Sequence, residues 1–236
     1  MKKNTLLICC IIVLTLITTW VLVDFFRRHA QYQALRKPTR NNTKEFLEAV
    51  NAYKDGITDD ISLRGLRLGP KELVRLEEIG DLPSLTLAST TITDEDMAII
   101  ARIPGLVSLD LGETRITDAG LLHLKEHPNL RELRLSRMPI TDQGLQSVAT
   151  IPNLIYLDLW LTNTTDTSCP ILAKMEKLRV LNLDSTMVTD HGLRYLYALK
   201  NLQRLQVWST PVTKNGRLAI RRQIPQLQLN DDFMNE

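Results

Sequence analysis

Cysteine is scarce in this chain, aromatic residues are few, and neither sign of charge prevails. Cys9, Cys10 and Cys169 cannot form a disulfide framework, and two of them are adjacent in an apolar run. A structural zinc site takes four Cys or His ligands, and the sequence offers no such cluster. Twenty-nine Lys and Arg against 27 Asp and Glu leave a net charge of +2, which gives no case for a nucleic-acid partner. Gly-rich phosphate loops, nucleophile elbows and zinc-protease motifs are missing too. These absences argue against an enzyme, a cofactor, a metal or a small-molecule substrate. Leucine, by contrast, is over-used, as expected for a core built from one repeated aliphatic position.

Residues 5–23, TLLICCIIVLTLITTWVLV, carry no charge and follow Lys2 and Lys3. Nineteen helical residues span about 28 Å, close to the thickness of a hydrocarbon core. Trp20, Phe25 and Phe26 lie where interfacial aromatics sit. A cleaved signal peptide has a shorter apolar region and a small-residue cleavage site, which TTWVLVDFF does not provide. The expectation is a single-pass, uncleaved membrane anchor. Positive charge flanks both ends, and Arg27, Arg28, Arg36 and Lys37 outnumber Lys2 and Lys3. Charge counting would keep the remainder in the cytoplasm, whereas short N-terminal signal-anchors usually export it, and the balance falls to export. Organisation then reads as a tail at 1–4, the anchor at 5–23, a stalk at 24–42, a capping helix at 43–56, a degenerate repeat at 57–81, regular repeats at 82–230 and a tail at 231–236. In the capping helix, Asn42 and Glu45 resemble a capping box. Phe46, Leu47 and Val50 form an apolar face, and Gly56 can stop the helix.

The dominant signal is internal repetition. Ile92-Thr93-Asp94 recurs as Ile116-Thr117-Asp118, Ile140-Thr141-Asp142, Thr164-Thr165-Asp166, Val188-Thr189-Asp190 and Val212-Thr213-Lys214, each step being 24 residues. Leu85, Leu109, Leu133, Leu157, Leu181 and Leu205 form one apolar column, and Leu87 through Val207 another in the same phase. Within a repeat, LVSLDLG alternates as a half-exposed strand does, and Leu121 and Leu124 then step by three as on a helix. One strand and one short helix cannot bury an apolar face alone, but stacked copies can.

The pattern L-x-x-L-x-L-x-x-T-x-I-T-D-x-G-L-x-x-L resembles the leucine-rich repeat family, its cysteine-containing subtype and bacterial proteins with Thr at that place. The resemblance covers residues 80–230. It implies an α/β fold, a right-handed solenoid in a horseshoe arc with parallel strands on the concave face and helices on the convex face. Members generally bind proteins and seldom catalyse.

The repeated polar residues read as scaffold. Thr90, Thr114, Thr162, Thr186 and Thr210 fall where the chain leaves each strand and can bond nearby backbone. Thr117 and its copies suit a helix N-cap, with Asp118 in the first turn and Gly120 allowing close packing of repeats. Asp94, Asp118, Asp142, Asp166 and Asp190 share one environment, which speaks against chemistry at any of them. His123 and His127 are four apart but lack further ligands. Cys169 stands in a leucine column as a small hydrophobe, with Pro170 delaying the helix and Ser168 replacing glycine.

Function should therefore lie in the outward strand positions, where the repeat imposes no residue type. Trp160, Asp184 and Trp208 fall on successive strands about 4.8 Å apart, so Asp184 should lie between the two indoles, bordered by Tyr156, Asp158 and Arg204. Arg134 should join Asp110 and Asp158 in a lateral charge ladder. The Trp pair can anchor a protein or peptide, or simply cover neighbouring Leu side chains. The reading is a membrane-anchored, non-catalytic protein that binds through its concave face. The alternative is an assembly module acting through its anchor and solenoid edges.

Overall fold

Leucine at every second strand position, and threonine at the start of the regular helical turns, set the local structure. The computed structural model describes residues 43–230; the expected anchor, stalk and tails, Asn42 included, lie outside the described residues. Among those described, no helix is long and apolar enough to cross a membrane. The elements run α1 (Thr43–Lys54), β1 (Ile61–Ser62), α2 (Pro70–Glu77), β2 (Ser84–Thr86), α3 (Met97–Ile100), β3 (Ser108–Asp110), α4 (Asp118–Leu121), β4 (Glu132–Arg134), α5 (Asp142–Val148), β5 (Tyr156–Asp158), α6 (Cys169–Leu172), β6 (Val180–Asn182), α7 (Asp190–Tyr195), β7 (Arg204–Gln206), α8 (Lys214–Gln223) and β8 (Gln228–Leu229). The eight strands form one parallel sheet in chain order. Their register places Leu85, Leu109, Leu133, Leu157, Leu181, Leu205 and Leu229 side by side.

A single apolar core runs from Phe46 to Leu227 between the sheet and the helices. Ile116, Leu121 and Leu124 are fully buried in it, as their spacing requires. At its N-terminal end α1 inserts Phe46 and Val50 into the core, and the Tyr53 hydroxyl donates to the Asp81 carbonyl. Leu47, expected on the apolar face, is instead 37% exposed, because that face is narrow enough for Phe46, Val50 and Tyr53 to fill it. Gly56 ends the turn after α1 at φ +69°, a left-handed conformation that glycine adopts without strain.

The helix starts are linked from repeat to repeat. Thr141 caps α5, its hydroxyl accepting from the Gln143 N–H. The same hydroxyl donates to Asp118 Oδ2 at 2.5 Å, while the Thr141 N–H donates to Oδ1 at 2.9 Å. Asp94 holds Thr117 this way, Asp142 holds Thr165, Asp166 holds Thr189, and Asp190 holds Thr213. Sequence spacing places each aspartate only at the start of its own helix; its second role, across 23 residues, is visible only in the fold. Glycine follows from it. A Cβ on Gly144 would collide with the Asp118 carboxylate, with Cγ at 2.9 Å and Cα at 3.2 Å. Where glycine is missing the ladder adapts: the Ser168 hydroxyl itself donates to Asp142. In the repeat that follows Pro70, which offers no carboxylate, Asp96 accepts from its own Thr93 N–H at 2.8 Å.

The strand exits repeat equally closely. Thr90, Thr114, Thr162, Thr186 and Thr210 donate to the carbonyl three residues earlier at 2.6 to 2.8 Å. Thr164, replacing isoleucine in a core column, is fully buried and shares a 2.8 Å hydrogen bond with Thr162, so neither hydroxyl is left unsatisfied. Just before each exit position, held by threonine except at Met138, Ser89, Glu113, Arg137, Leu161, Ser185 and Ser209 adopt φ between +54° and +64°. That conformation is unfavourable by about 1–2 kcal/mol for a residue with a Cβ. It lets their N–H groups extend the ladder, as from Ser185 to the Trp208 carbonyl at 2.8 Å.

Gly144→Ala should lower stability by about 1–2 kcal/mol despite alanine's better helix propensity, because the methyl displaces the Asp118 carboxylate. Urea unfolding of the single variant and of the Gly144→Ala, Asp118→Ala pair checks this. In the Asp118→Ala background the same glycine change should cost less than half as much; equal costs in both backgrounds would contradict the clash.

Candidate functional site

Each of the three-residue strands β2 to β7 buries its middle residue and turns the flanking two outward. The outward side chains of β4 to β7, with the turn residues that follow them, form the candidate interface. Tyr156 aligns with Val180 and Arg204, and Arg134 with Asp158, Asn182 and Gln206. Trp160, Asp184 and Trp208 follow in phase at the strand ends, joined by Leu161 N–H to the Asp184 carbonyl and Ser185 N–H to the Trp208 carbonyl. The expected indole–carboxylate–indole row is therefore adjacent in space.

Its members differ in what they leave accessible. Trp208 is 53% exposed, whereas Trp160 and Tyr156 are half-buried. The Arg137 guanidinium stacks 4.2 Å from the Trp160 ring centroid, and Arg134 lies 4.7 Å from that of Tyr156. Such contacts contribute about 0.5–1 kcal/mol at exposed sites and hold the two rings in place. Trp208 receives no such cation among the described residues. Asp184 serves the backbone and a neighbouring amide, accepting from the Trp208 N–H at 2.5 Å and from Asn230 Nδ2 at 3.0 and 3.2 Å. Asp158 accepts from the Trp160 N–H at 2.9 Å. Burial lifts its carboxyl above the usual range; the Trp160 N–H and Arg134 pull it down, while Asp110 and Asp184 push it up. Burial also raises the Tyr156 phenol, with Asp158 adding to the shift and Arg134 opposing it.

The Asp110–Arg134–Asp158 ladder does not form. Arg134 pairs with Glu132 at 3.4 Å and reaches Ser108 at 3.5 Å, and Asp110 pairs with Arg64 at 3.3 Å. Asp110 and Asp158 each use one oxygen to cap the backbone two residues on, so register alone did not fix their partners. Sequence reasoning also missed Arg137. It stands in the left-handed turn column, where Ser89 donates to Glu113 at 2.6 Å and Arg137 pairs with Glu113 at 2.9 Å. Reading that column in phase would have placed Arg137 beside Trp160.

His127 and Cys169 pack into the scaffold. His127 is buried, and its Nδ1 accepts from the Leu130 N–H at 3.2 Å. His123 is exposed, so the two imidazoles do not share a face. Cys169 is fully buried, and burial, with Asp166 and Asp142, pushes its thiol up to about 12, which removes thiolate reactivity.

A family profile described as Leucine Rich repeat matches residues 126–149. No curated protein matches the sequence. Among solved structures, an internalin (inlF) from Listeria monocytogenes aligns with TM-score 0.57 and 22% identity over 72% of this chain and 48% of its own. An internalin C2 (inlC2) from the same organism aligns with TM-score 0.52 and 24% identity over 79% of this chain and 73% of its own. The chain thus spans about half the length of the first of these and most of the second. The likeness is one of fold: an open leucine-rich-repeat arrangement around a parallel sheet.

Burial holds His127 below its ordinary value of 6.5, so the native state resists a proton that the unfolded chain takes up. Stability is then unaffected above pH 6.5 and falls as pH drops through 6.5 toward the lower folded value. Replacing His127 by Met, the residue found in this column at Met175, should flatten the change in urea midpoint between pH 7 and 5 relative to wild type. Parallel pH profiles for the two proteins would contradict the assignment.

Proposed function

We propose that this protein is a non-catalytic binding module, tethered to a membrane by residues 5–23, that takes a protein or peptide segment on its sheet face. The face is the inner side of the arc in the family it resembles. Trp160, Trp208 and Tyr156 supply the contact area, with Arg204 at the margin. Arg134, and Arg137 behind Trp160, hold the rings, while Asp158 and Asp184 fix the backbone of the Trp turns. The observation that carries this reading is Trp208, a large apolar side chain 53% exposed beside a Trp and a Tyr already clamped by guanidiniums. Rings held before binding lose little further freedom on complex formation, which favours affinity. Aromatic anchors of this kind dominate binding energy in interfaces.

Replacing Trp160 and Trp208 together by Ala should weaken partner recovery by about 30-fold or more, while the thermal midpoint confirms that the variant is folded. Unchanged recovery from a folded double variant would remove the site. Retained recovery together with loss of function on deleting residues 1–42 would favour an assembly role through the anchor and solenoid edges.

A further inference from the structure

We propose that the segment bound at this face is acidic: Arg179 and Arg204 take carboxylates of a short extended stretch of a partner protein, while Trp208 covers an apolar side chain in the same stretch. This rests on the sheet-face reading above and adds the chemistry of its partner.

The carboxylates of the face are already engaged within the protein. Asp110 is held by Arg64 and the Gly112 N–H. Glu132 is held by Arg134 and Ser108, and Glu113 by Ser89 and Arg137. Asp158 and Asp184 accept from the backbone beneath the two indoles. Arg134 and Arg137 are committed in turn to those acids and to the rings of Tyr156 and Trp160. Arg179 and Arg204 are exposed, and their guanidiniums make no hydrogen bond or ion pair with the described residues. Arg179 immediately precedes β6 and lies next to the start of β7, since its carbonyl accepts from the Gln203 and Arg204 N–H groups at 2.8 and 3.0 Å.

The wider charge distribution points the same way. Residues 178–236 carry eight Lys or Arg and five Asp or Glu, whereas residues 43–105 carry seven against twelve. The basic part's two acids among the described residues, Asp184 and Asp190, are engaged in backbone and threonine contacts. An acidic segment is therefore drawn to the C-terminal repeats rather than the N-terminal ones. Arg204 and Trp208 both lie on the outward side of one chain segment, with Leu205 and Val207 buried between them. Four extended residues span about 13 Å. The fitting segment thus has an acidic and an apolar residue about four positions apart, the carboxylate taken by guanidinium forks and the apolar group by the indole.

The probe is a random peptide library panned on the immobilised full-length chain. Recovered peptides should be enriched in Asp or Glu near an apolar residue, and raising salt should weaken them. Arg179→Glu with Arg204→Glu should lower their binding by about tenfold, and panning on that variant should select Lys or Arg instead. The two side chains hold no partner among the described residues, so the double reversal leaves the thermal midpoint in place. Peptides without acidic enrichment that Trp208→Ala still abolishes would overturn the acidic partner and leave the sheet-face reading standing. Peptides indifferent to both the Trp and the Arg changes would overturn both. Arginine-dependent capture of phosphatidylserine vesicles with no acidic peptide recovered would overturn the proposal in favour of a lipid surface.

Discussion

The aspartate that leaves one helix start and lands on the next is the constraint on which the rest of the stack depends. Each carboxylate receives a backbone N–H and a hydroxyl from the following repeat, and that hydroxyl at the same time caps its own helix. Hydrogen bonds to a charged group contribute about 1.5–3 kcal/mol each when shielded and less when exposed, as most of these are. Burying one leucine contributes about 1.5–3 kcal/mol, and every repeat buries several. Apolar burial therefore supplies most of the stability, while the aspartate ladder supplies register. A leucine column can slide along its neighbour with modest loss, but a carboxylate that must meet one N–H and one hydroxyl cannot.

That division of labour decides where function can reside. Core columns, capping threonines, ladder aspartates and the glycines beneath them are fixed by stacking, and Cys169 and His127 are absorbed into the same core. What stacking leaves open is the outward side of the strands and the left-handed turn that follows. There the chain departs from repetition, with Tyr156, Trp160, Arg204 and Trp208 gathered over three consecutive repeats.

Much of this was legible in the sequence. The 24-residue phase placed every strand and each buried column, because a side chain's facing direction depends on local periodicity. It also identified the threonine caps and the irregular start of the helix after Asp166. It did not reveal the second partner of Asp118, because a contact across 23 residues exists only once two repeats are stacked. Arg134 was assigned the wrong acid for a related reason: strand register put Asp110 and Asp158 within reach, but both had oxygens committed to the turns beyond them. Trp160 and Trp208 look equivalent in the sequence. They differ in the fold because Arg137, one turn column away, covers only the first.

Partner contact on the sheet face at Trp208 is the central claim. A photocrosslinking residue placed at position 208 of the full-length chain, compared in cells with one at Leu122, which is 61% exposed on the helix side, tests it most directly. The predicted result is a discrete protein adduct from position 208 and none from position 122. An adduct from 122 with none from 208 would contradict it.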